Sequence, residues 1–303
     1  MKILLTGTTG QLGHTLLPLL NTHFEVVAPT RQELDLSDAA AIEAFVAECQ
    51  PDLIINPAAY TAVDKAETES DVAHAINAVA PAVFAQQAKK LGIGLIHFST
   101  DYVYDGSLRD AQGGLPPYTE DAQTNPLNVY GKTKLAGEQA IIASGCNYLI
   151  FRTSWVYSTF GKNFLLTMLR LANERDELRV VNDQWGAPTS ANSIANVTVN
   201  IVGQLLAAED AAQWWASHRG IFHLTTQGRT SWCGFTEEIV RLAATTGRLT
   251  KAAPKVIGIP AVEYPTPAKR PTNSCLDTTL LSTTFGVDIP TWDGALADCL
   301  KIT

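Results

Sequence analysis

A doubly wound α/β fold built on a parallel sheet is predicted by three features. Short apolar runs at 2–6, 24–28, 52–56, 94–99 and 147–151 alternate with helical patterns, a glycine turn joins the first run to the first helix, and each run is bounded by helices on both sides. Such alternation builds βαβ crossovers, and with the glycine turn it makes the expected sheet Rossmann-type.

The N-terminal element carries most of the local information. Met1 to Leu5 form an apolar run, Gly7, Gly10 and Gly13 follow at three-residue intervals, and an amphipathic segment continues through Leu20. In a strand–turn–helix unit Gly7 permits the sharp turn, Gly10 lets backbone N–H groups approach a pyrophosphate, and Gly13 lets the helix pack closely. The spacing differs from the commoner Gly-x-Gly-x-x-Gly, so an ordinary glycine-rich turn remains the local alternative.

Helices are expected over 38–48 and 72–90, where apolar residues recur at helical spacing, and over 162–175, 191–207, 232–246 and 291–301. Short runs at 178–181, 220–224 and 256–259 read as later strands, with a return of some of them to the main sheet left open, and 207–213 as a surface loop. With prolines at 188, 254, 260, 265, 267, 271 and 290 breaking up the second half, a smaller α/β lobe is expected. The division is residues 1–157 with 184–218 for dinucleotide binding, and 158–183 with 219–303 for an interleaved substrate lobe.

At 303 residues, 46% hydrophobic and 17% charged, the chain is long enough to bury a sizeable core. Lys and Arg total 22 against 30 Asp and Glu, a net charge of −8, which argues against nucleic acid or an anionic membrane as partner. With no apolar stretch of about 20 residues and no signal-peptide pattern, a cytoplasmic protein is expected. Cys49, Cys146, Cys233, Cys275 and Cys299 are scattered, and the six histidines show no ligand spacing. His97, inside Leu95-Ile96-His97-Phe98, reads as a satisfied core histidine.

Chemistry concentrates where strands end. Tyr130 and Lys134 lie four residues apart on one helix face, and a nearby ammonium favours the phenolate, so the pair suits proton exchange near neutral pH. Taken alone, this spacing also fits a solvated helix. Asn56 to Thr61 offers small residues against which a cofactor could lie, or simply a tight turn. Ser99-Thr100-Asp101 places a hydroxyl and a carboxylate at the sheet edge, where turn and cap residues are also common. No acid ends the second strand to hold a ribose 2′-OH, and Arg31 stands nearby, which favours NADPH with Arg31 on the 2′-phosphate; Glu33 and Asp35 keep NADH as the alternative. Arg270, between Pro267 and Pro271, could clamp a diphosphate bidentately or stand as a solvated arginine.

Thr6 to Gly13, Ser99 to Tyr104, Tyr130 to Lys134 and Phe151 to Tyr157, in that order, resemble extended short-chain dehydrogenases/reductases. Ala62 to Glu67, Val181 to Thr189 and Tyr264 to Pro271 extend the match to the dTDP-4-dehydrorhamnose reductase branch. The resemblance implies hydride transfer to C4 of dTDP-4-dehydro-L-rhamnose, with Tyr130 as proton donor, Lys134 lowering its pKa and holding the nicotinamide ribose, and Thr100 bonding the reacting oxygen. It further implies Gly10, Gln11 and Leu12 at the pyrophosphate, Asp35 and Leu36 at the adenine side, and Ala59, Tyr60 and Thr61 along the nicotinamide half. Asp101 and Trp155 would touch the sugar.

Some relatives bridge a dimer through magnesium on acidic side chains; here Thr15 and Asn192 stand in two of those places and Asp293 is the remaining acid, so no magnesium site is expected, and a monomer or metal-independent homodimer is. Two other functions fit the same pattern: a reductase of another nucleotide-linked 4-ketosugar, and a non-catalytic regulatory subunit resembling that of methionine adenosyltransferase. Intact Thr100, Tyr130 and Lys134 weigh against the second.

Overall fold

Six parallel strands form the central sheet of this computed structural model, which describes residues 1–301; residues 302 and 303, counted above with the second lobe, lie outside the described residues. The first half runs β1 (Lys2–Leu5), α1 (Gln11–Asn21), β2 (Glu25–Val27), α2 (Ala39–Cys49), β3 (Leu53–Asn56), α3 (Val63–Ala66), α4 (Ser70–His74), a π-helical turn (Ala75–Val79), α5 (Ala80–Leu91), β4 (Gly94–Thr100), α6 (Val129–Ser144) and β5 (Asn147–Thr153). The helix expected over 72–90 is therefore one stretch with a π-turn inside it. Then follow β6 (Val156–Tyr157), α7 (Phe164–Glu174), β7 (Glu177–Val181), β8 (Trp185–Gly186), β9 (Thr189–Ser190), α8 (Ala191–Ala207), α9 (Ala211–His218), β10 (Gly220–His223), β11 (Thr230–Ser231), α10 (Trp232–Thr245), β12 (Lys255–Ile259), α11 (Thr279–Phe285) and α12 (Trp292–Lys301).

The sheet order is β10-β5-β4-β3-β1-β2. The chain leaves β1 for β2 on one side and returns to β3 on the other, so the topological switch point lies between β1 and β3, where open α/β sheets bind ligands. Alternation along β1 builds both layers. Ile3 and Leu5 face α1 and α8 through Leu12, Leu16, Ile194 and Ile201, while Leu4 faces α2 and α5 through Ile42, Val46 and Phe84. A third core joins α7, α10 and α12 around the parallel pair β7–β12 through Leu165, Leu178, Phe235 and Leu296.

Two expectations are corrected. The segment 207–213 is not all loop: Asp210 accepts from the N–H groups of Ala212 (2.8 Å) and Gln213 (3.1 Å), starting α9, which buries Trp214 and Trp215. Residues 220–223, assigned to the second lobe, form the edge strand of the main sheet, and Leu281, Phe285, Val287 and Ile289 pack into its core. A run too short to show a period could not declare which sheet it joins.

Candidate active site

A cleft of about 420 Å³ opens at the carboxyl ends of β1, β3, β4 and β5. Its floor is the glycine turn. Gly7 has φ +63°, and a Cβ on Gly13 would lie 2.3 Å from the Gly7 carbonyl oxygen, so turn and helix meet backbone to backbone. Gly10 begins α1 without a side-chain cap, and no acid occupies the first turn, which leaves N–H groups to meet an anion. Gln11 and Leu12 both line the cleft. The Gln11 side chain also ties the turn to β6 and the segment that follows it. Its Nε2 donates to Val156 O (3.2 Å), and its Oε1 accepts from Ser158 Oγ and Asn163 Nδ2 (2.9 Å each).

At the far end Arg31, Asp35 and Leu36 line the cleft. Asp35 accepts from the Ser37 N–H (2.9 Å) and hydroxyl (2.8 Å), which hold its carboxyl below the usual range. Glu33 folds back onto the Thr30 N–H (2.7 Å) and is absent from the lining, which leaves Arg31 and Asp35 as the charged side chains at this end. Ala59 and Thr61 line the opposite end, whereas Tyr60 does not: its hydroxyl donates to Glu69, and its backbone clamps the Asn77 amide (2.8 and 3.0 Å). Tyr60, expected along the nicotinamide half with Ala59 and Thr61, thus turns its side chain away from the cleft lining.

Among the lining residues that sequence reading did not assign to the site, three carry polar chemistry of note. Ser99 Oγ and Thr153 Oγ1 are buried with no hydrogen-bond partner, and Lys162 adds a cation beside Gly161. Orphaned hydroxyls at the cleft wall, a bare helix N-terminus and cations at intervals fit a dinucleotide.

The start of α6 is fixed tightly. Asn128 Oδ1 accepts from Gly131 N (2.8 Å), and a Cβ on residue 131 would strike Tyr102 O at 2.2 Å, so Gly131 lets the helix press onto the loop after β4. Tyr130 and Lys134 both line the cleft. Their electrostatics differ from the expectation: burial pushes the Tyr130 phenol up to about 12, partly offset by a hydrogen bond with Thr100, while burial brings Lys134 down to about 8 despite the Glu138 charge. Lys134 Nζ donates to Phe98 O (2.6 Å) and lies 3.2 Å from His97 Nε2, so its head is held by β4.

Thr100 Oγ1 accepts from Tyr102 N (3.2 Å) and donates to Asp101 Oδ1 (2.9 Å). Asp101 is buried, its Oδ2 has no partner, and burial raises its carboxyl to about 7 against hydrogen bonds from Ser274 and Thr100. Trp155 lies outside the cofactor cleft with φ +47°, a left-handed conformation rare for a bulky residue. Its ring stacks on Trp232 at 3.5 Å and covers Gly186, whose absent Cβ would also meet Ser274 Oγ. Asp101 and Trp155 therefore converge on Ser274. Arg270 is no solvated arginine: it grips Asp64 through Nη2–Oδ2 (2.9 Å) and Nη1–Oδ1 (3.2 Å), and Tyr102, edge-on to Tyr130, bonds it as well.

Thr15 and Asn192 line a second cleft, on the other side of α1, and the acids beside them are Asp288 and Asp298. Asp293, expected there, instead bonds Thr291 and faces Arg241. Among the described residues no group of three or more His, Cys, Asp or Glu is placed to hold a metal ion, and no helix is long and apolar enough to cross a membrane.

Relatives with this geometry carry a shared name. A dTDP-4-dehydrorhamnose reductase of Burkholderia thailandensis is 42% identical over 302 residues, 99% of this chain and 98% of its own. Among solved structures, a reductase of that name from Clostridium acetobutylicum superposes with TM-score 0.88 at 37% identity, covering 100% of this chain and 99% of its own. One from Bacillus anthracis, in complex with NADP, has TM-score 0.87 at 31% identity, with the same coverage. The RmlD substrate binding domain model matches residues 1–303, and the chain belongs to that family.

Proposed function

We propose that this protein is an NADPH-dependent oxidoreductase that reduces the C4 ketone of dTDP-4-dehydro-β-L-rhamnose to dTDP-L-rhamnose, the last step of dTDP-L-rhamnose biosynthesis. The observation that carries the reading is Tyr130 and Lys134 on the wall of a cleft that also holds the bare N-terminus of α1 and Arg31. Bound in that cleft, NADPH supplies the hydride. Backbone N–H groups from Gly10 to Leu12 hold the pyrophosphate, Arg31 pairs with the 2′-phosphate, and Ala59 and Thr61 flank the nicotinamide half. Lys134 keeps an N–H for the nicotinamide ribose. Tyr130 gives its phenolic proton to the oxygen on which negative charge develops, and Thr100 donates to the same oxygen once it turns from Asp101.

Asp101 and Trp155 form the sugar wall, and Arg270 is the group for the nucleotide diphosphate, which then competes with Asp64 for the guanidinium. On this reading the cofactor sits on 1–157 with 184–223, whose core also takes in Leu281, Phe285, Val287 and Ile289, and the nucleotide sugar sits on 158–183 with the rest of 224–301. The enzyme works in the cytoplasm as a monomer or metal-independent homodimer; a chelator that splits a purified oligomer would overturn the second part. The deciding assay follows NADPH and NADH oxidation with dTDP-4-dehydrorhamnose made in place by upstream enzymes, beside a panel of other nucleotide-linked 4-ketosugars. Turnover of the rhamnose precursor well above the others is expected; preferential turnover of a different ketosugar would overturn the substrate assignment.

A further inference from the structure

Four polar side chains from three strands and a helix form a buried line beneath the cleft. Thr6 Oγ1, just after β1, donates to Asn56 Oδ1 on β3 (2.6 Å); Asn56 Nδ2 lies 3.2 Å from His97 Nδ1 on β4; His97 Nε2 lies 3.2 Å from Lys134 Nζ on α6. All four residues are buried, with His97 at 0% exposure. The line has an internal logic. A lysine ammonium has only donors, so the Nε2 that faces it must offer a lone pair, and the ring proton of a neutral imidazole must then sit on Nδ1. That tautomer requires the Asn56 amide turned over from its placement here: its oxygen then accepts from Nδ1–H and its NH2 donates to the Thr6 hydroxyl, in place of Oδ1 on Thr6 and Nδ2 on His97. With this polarity each of the three contacts in the line joins one donor to one acceptor.

We infer that His97 is a positioning residue for Lys134: a neutral, Nδ1-protonated imidazole, oriented by Asn56 and Thr6, that accepts from the ammonium through Nε2. Phe98 O takes a second N–H at 2.6 Å, so the third is aimed into the cleft. Burial and the Lys134 charge hold the His97 pKa well below the usual histidine value, which keeps the ring uncharged beside the lysine. The other charged or titratable groups around Lys134 are Tyr130 and Glu138 on its own helix; Glu138 is itself held by Arg152 of β5 through paired contacts of 3.0 and 2.6 Å. His97 is thus one of two acceptors on β4 that hold the Lys134 head, and the one whose lone pair depends on its tautomer. The inference rests on the proposed role of Lys134, but its first test does not.

That test is 15N NMR of the intact protein labelled at histidine. The shifts of His97 should report the Nδ1–H tautomer near neutral pH, where Lys134 is charged; a ring protonated on Nε2 would overturn the inference whatever the enzyme turns over. The second compares His97→Leu with His97→Gln, whose amide can replace the Nε2 acceptor. In His97→Leu the alkaline limb of the kcat/KM profile should move to lower pH by about one unit, and kcat should fall about tenfold. In His97→Gln both should stay within about threefold of wild type. A folded His97→Leu enzyme with the wild-type limb would also overturn the inference, and if that variant does not fold, the tautomer measurement decides alone.

Discussion

The hydroxyl of Tyr130 is the only feature that a phenylalanine at this position would lack, so Tyr130→Phe isolates the proposed proton donor while leaving the ring against Tyr102. A general acid contributes roughly 10²–10⁴-fold. The variant should melt within about 1 °C of wild type and lose turnover on that scale; near-normal kcat in a folded protein removes Tyr130 from the role. Asp101 makes a second prediction at this scale. Its carboxyl is raised from the ordinary value to about 7, so the folded state binds a proton that the unfolded chain releases. The stabilisation from that proton is complete below about pH 4 and is lost as pH rises toward and through about 7, by at most about 4 kcal/mol from three units at about 1.4 each. Asp101→Asn should flatten this loss, so its melting temperature relative to wild type should rise between about pH 5 and 8. Parallel melting curves would mean the carboxyl is ionised in the fold.

At the scale of elements, α6 joins the parts of the site. Asn128 caps it through Gly131 N and also donates from Nδ2 to Lys269 O (2.8 Å), tying the helix start to the segment that carries Arg270. Asn128→Ala should therefore cost about 1 kcal/mol from the lost cap and raise KM for the nucleotide sugar more than KM for NADPH. Equal changes in both constants would separate the cap from the strap. The strands and most helices are readable from their periods, because burial on both sheet faces leaves continuous apolar runs such as Leu53 to Ile55. The Tyr130 and Lys134 spacing is readable too, since one helix fixes it. The partners of these residues are not. Lys134 meets His97 across 37 residues, Arg270 meets Asp64 across 206, and Gln11 reaches Asn163 across 152; no local pattern encodes such pairings. The phenol's pKa runs opposite to the expectation because burial, which four-residue spacing on a helix does not report, raises it, and the Asp101 charge adds to the rise.

For the molecule as a whole, the cofactor should act as a stabiliser, because its cleft draws on β1, β3, β4, β5 and the loop that carries Lys162. NADPH at a hundredfold excess over its Kd adds about 2.7 kcal/mol to the folded state. Thermal unfolding at matched concentrations should show a larger shift with NADPH than with NADH, and Arg31→Ala should remove the difference while leaving the NADH shift. A larger shift with NADH in wild type would contradict the 2′-phosphate assignment.

The late return of β10 to the sheet has a consequence for biosynthesis. Until residues 220–223 leave the ribosome, β5 has an open edge, and the layer over Phe222 waits still longer for Phe285 and Ile289. A nascent chain that ends near residue 218 already contains Tyr130, Lys134 and the glycine turn, yet it lacks the strand that covers the β5 edge of its own sheet. Chains arrested near that length should therefore be more protease-sensitive than the full chain, and equal protection of the two would show that the β5 edge needs no cover.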